Sequence, residues 1–311
     1  MNAIASSVIN GLLSVKPLAK FAKSRARTMM MDRAEDLGVL WREEVKALQA
    51  QPNWEEKLAA IANPDITYPS YYTTSFHAYD EGNLGWLPAM EVDVAARAVH
   101  ARIWSDERGG IKGDASLRES YHQVLSSLLP EAPERIVDLG CGAGRSTITL
   151  QKTFPMAALT GVDLSPYFVA VAKHTEPNIK SVEGVQESAP IRWLHAPAEE
   201  TGLPSEAYDL VSICLVFHEL PAAAARNVIA EAYRLLKPGA HFSIMDMNPQ
   251  CETFRKMPPY VLTLLKSTEP YLDQYFGLDI AQAFQEAGFD APQIVENSPR
   301  HRTMVARKGV S

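Results

Sequence analysis

The chain has 311 residues, 46% apolar and 22% charged, which is enough to bury a full-sized α/β core with material left for a smaller unit, and too apolar for a disordered protein. A formal net charge of −7 excludes phosphate-backbone binding as the main business, because a nucleic-acid footprint normally shows as a basic domain. Cys141, Cys214 and Cys251 form no CxxC pair and leave one odd, so neither a disulfide framework nor a metal site is expected, and a reducing, cytoplasmic setting is the simpler reading.

Residues 1–31 carry five basic residues and no acid, which leaves −12 on the remainder. Ile4, Val8, Leu12, Val15 and Leu18 recur at mostly helical spacing there, and three readings stay open: a helix packed on the body, a peripheral membrane helix, or an organelle-targeting segment. No apolar run reaches the roughly 18 residues of a spanning helix. Residues 1–110 read as a helical extension. Its stripes are Leu37, Leu40, Trp41, Val45 and Leu48, then Val94, Val99 and Ile103, with an aromatic, turn-rich loop from Tyr68 to Trp86 between them. Ser116 and Glu119 have capping-box spacing and predict a helix start near 116.

From Arg135 short apolar runs alternate with helical segments, the pattern of βαβ units. The runs are Ile136–Asp138, Ala158–Asp163, Ile191–His195, Leu210–Phe217 and His241–Asp246; Gln293–Val295 and Thr303–Ala306 lie too close for a crossover and should pair as a hairpin. The expected fold is α/β: a doubly wound, seven-stranded, mostly parallel sheet with an antiparallel last strand, spanning residues 111–311 behind the helical extension.

Chemistry concentrates at two strand ends. Val137-Asp138-Leu139-Gly140-Cys141-Gly142-Ala143-Gly144-Arg145 passes from a strand into a helix over Ser146–Lys152, where glycines allow a tight turn and close ligand approach. A dinucleotide fingerprint would need its third glycine at 145, which is Arg145; GxGxG behind an acid suits the amino-acid end of a cofactor without pyrophosphate. Leu159-Thr160-Gly161-Val162-Asp163 ends a second strand in a carboxylate able to accept from two ribose hydroxyls, or to cap the helix opened by Pro166 and running to about Ala172.

Together with AYDLVSICLVFHEL and LLKPGAHFSIMD, these segments resemble the class I S-adenosylmethionine (SAM)-dependent methyltransferases, nearest in style to the small-molecule, type 11 enzymes of quinone biosynthesis. The resemblance covers Arg135 to Lys308 and implies SAM as cofactor and a small-molecule methyl acceptor. It implies that Asp138, Gly140, Gly142 and Gly144, with Cys141 beside them, line the methionine end, and Asp163, with Leu164, the ribose. Where the family often has an acid before Ala-Glu, Pro197 precedes Ala198 and Glu199, so adenine recognition falls to Ala198 or Glu199.

His218 and Glu219 end the fourth strand, where ligands of open α/β sheets bind. They are candidate catalytic groups, His218 as a base for a hydroxyl or amine, or else helix-capping and substrate-positioning groups. Residues 251–276 are longer than a normal connection and are expected to form a lid or substrate-binding insertion. Tyr72, His77, Tyr79 and Trp86 from the aromatic loop and Tyr260 and Tyr271 from the lid are candidate substrate contacts, or ordinary packing. A nicotinamide-dependent oxidoreductase explains only the sheet pattern; a non-catalytic SAM-fold assembly or membrane-surface factor would keep the fold and could lose the cofactor.

Overall fold

The computed structural model describes residues 16–77, 79–185 and 188–310. The helical extension comprises α1 (Lys16–Asp36), α2 (Trp41–Gln49), α3 (Trp54–Ala59) and α4 (Trp86–His100); a 3₁₀ turn over Gly110–Lys112 then feeds α5 (Gly113–Leu128). The remainder alternates β1 (Arg135–Leu139), α6 (Arg145–Thr153), β2 (Ala158–Asp163), α7 (Pro166–Glu183), β3 (Arg192–His195), β4 (Tyr208–Cys214), α8 (Ala222–Leu235) and β5 (Leu236–Met247). Three short helices follow, α9 (Glu252–Arg255), α10 (Pro259–Thr268) and α11 (Leu272–Gly277), then α12 (Ile280–Glu286), β6 (Gln293–Glu296) and β7 (His301–Arg307).

The seven strands form one sheet in the order β3-β2-β1-β4-β5-β7-β6. β1 to β5 are parallel, and β7 pairs antiparallel with both β5 and β6. Ile136, Val137 and Leu139 of β1 and Leu210, Val211 and Ile213 of β4 are all buried, because helices cover both faces of a parallel sheet and leave no polar side. α8 and α12 close one face around Phe242, Ile244 and Phe284. α5 and α6 close the other through Leu117, Leu125, Ile148 and Leu150. Strand order reverses between β1 and β4, so the crevice for a ligand opens beyond their carboxyl ends.

The extension has its own apolar cluster of Trp41, Val45, Trp54, Met90 and Val94, which reaches Ala143, Phe168 and Val171 of the sheet unit. Arg145 fastens the two parts: its guanidinium donates to both oxygens of Asp93 on α4, at 2.7 and 2.9 Å, and to Glu183 on α7 at 2.8 Å. The residue that breaks the dinucleotide pattern is therefore a structural clamp. In α1, Arg27 pairs with Glu91, so the last turns of the basic stretch pack on the body. The apolar stripe from Ile4 to Leu18 falls outside the residues whose side chains are described. Among the described residues no helix is long and apolar enough to cross a membrane.

Several boundaries move. The capping-box pair lies inside α5, because the chain runs from the 3₁₀ turn straight into the helix with Gly113 pressed against the His100 carbonyl, where a Cβ would lie 2.3 Å from oxygen. β4 stops at Cys214, since Leu215 turns to φ +62° and Phe217–Glu219 form a 3₁₀ turn. α7 runs through Pro177 to Glu183, eleven residues past Ala172, and ends on Gly184 in the left-handed conformation. Its cap is Ser165, which accepts from the Phe168 amide, so Asp163 is free of that task.

Candidate active site

The glycine turn after β1 uses its glycines in three ways. Gly140, at φ +71°, faces across the crevice, and a Cβ there would meet Val216 beyond β4 at 2.6 Å. Gly144, at φ +88°, opens α6, and a Cβ would strike Trp193 at 2.7 Å and Ala172 at 3.0 Å. This third glycine lets helix and strand pack closely. Gly142, at φ +53°, has nothing within 4 Å of its Cβ position. It is the glycine at which a ligand can approach the backbone. Cys141 serves the turn: its amide donates to Val162, its carbonyl accepts from Gly144, and its buried thiol is pushed well above the usual range by desolvation.

Asp163 faces this turn from β2. One carboxylate oxygen accepts from the Gly142 amide and the other from the Ser165 amide, each at 2.8 Å. Each oxygen keeps a lone pair. Burial raises the Asp163 pKa to about 6 despite those donors. If its anion accepts the ribose hydroxyls, SAM affinity should be constant above about pH 7 and fall by up to roughly tenfold per pH unit below about 6, as protonation removes an acceptor. Calorimetric titration from pH 8 to pH 5 checks this, and a flat profile would contradict the role. Asp138 lies beneath the turn, 1% exposed. Its Oδ2 accepts from the Ser146 and Thr147 hydroxyls at 2.6 and 2.7 Å, while Oδ1 has no hydrogen-bond partner among the described residues.

The aromatic loop and the ends of β2 and β3 close the next part of the crevice. His195 accepts from the Asn63 amide at 2.9 Å, so its other nitrogen donates to the Leu164 carbonyl at 3.0 Å. It anchors the loop to the strand ends, and nothing in the sequence singled it out. Ala198 is half-buried against the core, and Glu199 accepts from the Tyr71 hydroxyl. Tyr72 lies within the fields of both Asp163 and Glu219, which together with burial hold its phenol well above the usual range.

At the β4 end, the His218 ring donates through Nδ1 to Asp246 at 2.8 Å, and the His218 amide reaches the same carboxylate at 3.2 Å. Burial alone would lower the imidazole, but Asp246, with help from Glu269 and Glu219, raises it to about 10. Burial raises Glu219 to about 7 against the pull of His77 and His218. His218 therefore holds its proton through neutral pH, and Glu219 exchanges one there. His77, at φ +47°, places Nε2 2.8 Å from Glu269, which follows α10, and 3.7 Å from Glu219. Asp246 was visible only as the last acid of FSIMD, and Glu269 carried no sequence signal.

The other aromatic candidates divide. Tyr271 meets the loop, edge-on to Tyr71 with ring centroids 6.2 Å apart, whereas Tyr260 is 40% exposed on α10. Tyr79 donates to Glu91, a buried carboxylate that also receives Arg27 and the Trp41 indole. Trp86 donates to Glu55 and packs on Trp54 and Tyr167. Both take part in the extension's packing: Tyr79 satisfies the buried Glu91 on α4, and Trp86 reaches the exposed Glu55 on α3.

Residues 137–244 match a methyltransferase-domain family. The chain is 27% identical to an uncharacterized methyltransferase of Synechocystis over 55% of this chain and 74% of that protein. It is 30% identical to a demethylmenaquinone methyltransferase of Thermus thermophilus over 41% of this chain and 53% of that protein, and so spans about half of that relative. Residues 137–244 thus make up a methyltransferase domain, and the relatives that match it are named as methyltransferases. A solved structure from Nostoc punctiforme, described as a candidate O-methyltransferase, superposes with TM-score 0.53 at 17% identity over 85% of this chain and 72% of that one. That likeness concerns the fold, and it includes part of the helical extension.

Proposed function

We propose that the chain transfers a methyl group from SAM to a small molecule whose accepting atom is presented at His218 and Glu219. The carrying observation is the Gly142 amide held on Asp163 beneath open space: a backbone approach with a carboxylate beside it fits an adenosyl ligand and has no use in packing. SAM supplies an electrophilic methyl on a sulfonium. In-line displacement at that carbon needs alignment above all.

The protein's own groups supply alignment and charge. Asp163 is placed to accept from ribose hydroxyls, and the unpartnered Oδ1 of Asp138 offers a negative field to the ammonium end. Tyr71 steadies Glu199 where the adenine is expected. On the reaction side His218 is a hydrogen-bond donor fixed by Asp246, and Glu219 is the group able to take a proton near neutral pH. Tyr72 and Tyr271 would cover a flat or apolar acceptor, the loop and lid excluding water. The demethylmenaquinone relative supports an aromatic or hydrophobic acceptor.

Incubating the full chain with methyl-labelled SAM and a cell extract should place label in a small organic-soluble product. Label confined to protein or nucleic acid would overturn the acceptor class.

A further inference from the structure

Outside the cofactor crevice, three segments distant in sequence converge on one point. His77 of the aromatic loop, His218 beyond β4 and Glu269 at the end of α10 place one ligand atom each within 4.8 Å of one another. Glu219 joins them, with its carboxylate 3.7 Å from the His77 Nε2. We propose that these groups bind a divalent first-row transition ion, with His77, His218 and Glu269 as protein ligands and a position left for an oxygen of the methyl acceptor.

Four observations carry this. First, the spacing is right: bonds of about 2.0–2.1 Å in a tetrahedral site separate neighbouring ligand atoms by about 3.3 Å, and the His77 separations of 2.8 and 3.7 Å bracket that value. Second, His218 has the orientation of a metal-bound imidazole. Its Nδ1 is engaged by the Asp246 carboxylate at 2.8 Å, which leaves Nε2 for the cluster and reproduces the carboxylate–histidine–metal arrangement. Third, Glu269 is 7% exposed and its Oε2 has no hydrogen-bond partner among the described residues, although orphaning a buried carboxylate oxygen is costly. A cation in the cluster satisfies it. Fourth, three carboxylates, Asp246, Glu219 and Glu269, surround two imidazoles, a surplus of negative charge that a divalent ion balances while displacing the imidazole protons.

Two imidazoles with a carboxylate select zinc, iron(II) or cobalt(II) over magnesium or calcium, which prefer oxygen alone. An ion here ties the aromatic loop to the lid and puts positive charge where the His218 imidazolium otherwise stands. A hydroxyl or carboxylate oxygen on the acceptor is the ligand class that such a site takes. No cysteine takes part, and His77, His218 and Glu269 have no motif spacing, so nothing in the residue pattern points to a metal.

The test is metal uptake by the full-length chain after chelation and dialysis. One equivalent of Zn²⁺ should bind per chain, Co²⁺ should give the visible spectrum of a tetrahedral site, and Mg²⁺ should not compete. His77→Ala and Glu269→Gln should each weaken uptake at least tenfold, and Asp246→Asn by about 10- to 100-fold through His218, with melting curves confirming that each variant is folded. Gly142→Ala should lose SAM binding and keep the metal, so a failure of the methyltransferase reading is distinguishable from a failure of the metal site. Sub-stoichiometric uptake by the unaltered chain, or uptake indifferent to both His77→Ala and Glu269→Gln, overturns the proposal.

Discussion

His218→Ala should lower kcat by about 100-fold, the usual loss when a preorganised polar group at the reacting centre is removed, while SAM affinity changes little. The ring is buried and fixed twice over, by its amide and by Nδ1, on one carboxylate that is itself 0% exposed. Its remaining nitrogen has a single orientation in which to meet an acceptor. Asp246→Asn keeps the shape and weakens the grip on the ring, so it should cost kcat less than His218→Ala does. Single-turnover kinetics with saturating SAM measure both. A His218→Ala enzyme with kcat within about threefold of the parent would remove His218 from the reaction centre.

The second large effect separates two glycines two positions apart. Gly142→Ala adds a methyl group into open space, so folding should lose only about 1–2 kcal/mol for the left-handed backbone, whereas SAM affinity should fall by 100-fold or more because the methyl occupies the ligand's approach. Gly144→Ala meets Trp193 and Ala172 instead. Its damage should show as a lowered Tm, with SAM affinity falling only as far as the fold is perturbed. Thermal melts and calorimetry on the two variants give the comparison. Equal effects of both on SAM binding would mean that Gly142 is not the point of approach.

Much of this architecture is legible in the residues themselves. Apolar runs such as Ile136–Asp138 and Ala158–Asp163 can be buried on both faces only in a parallel sheet, and the short gap between Gln293–Val295 and Thr303–Ala306 admits only a hairpin. The glycine turn and the acid that ends β2 were also readable, because their spacing is set by local geometry. Boundaries were not: β4 ends early because Leu215 adopts a left-handed turn, and α7 outlasts its first apolar stripe because packing overrides the cost of Pro177.

Assignments that depend on distant partners were out of reach. Tyr79 and Trp86 look like site aromatics until Glu91 and Glu55 are seen to accept their polar atoms. His218 reads as a neutral base until Asp246 is placed beside it. The packing task of Gly144 shows only once Trp193, from β3, is found against it. In each case a side chain contributed by another strand or helix fixes the role, and no spacing rule encodes that meeting.

The account rests on the cradle formed by Gly142 and Asp163, and calorimetric titration of SAM into the chain and its Asp163→Ala variant tests it most directly. One SAM should bind per chain, and the substitution should weaken binding by roughly 1–3 kcal/mol, the cost of leaving buried polar groups without a partner. Absence of binding to the parent chain, or an affinity unchanged by Asp163→Ala, would contradict it.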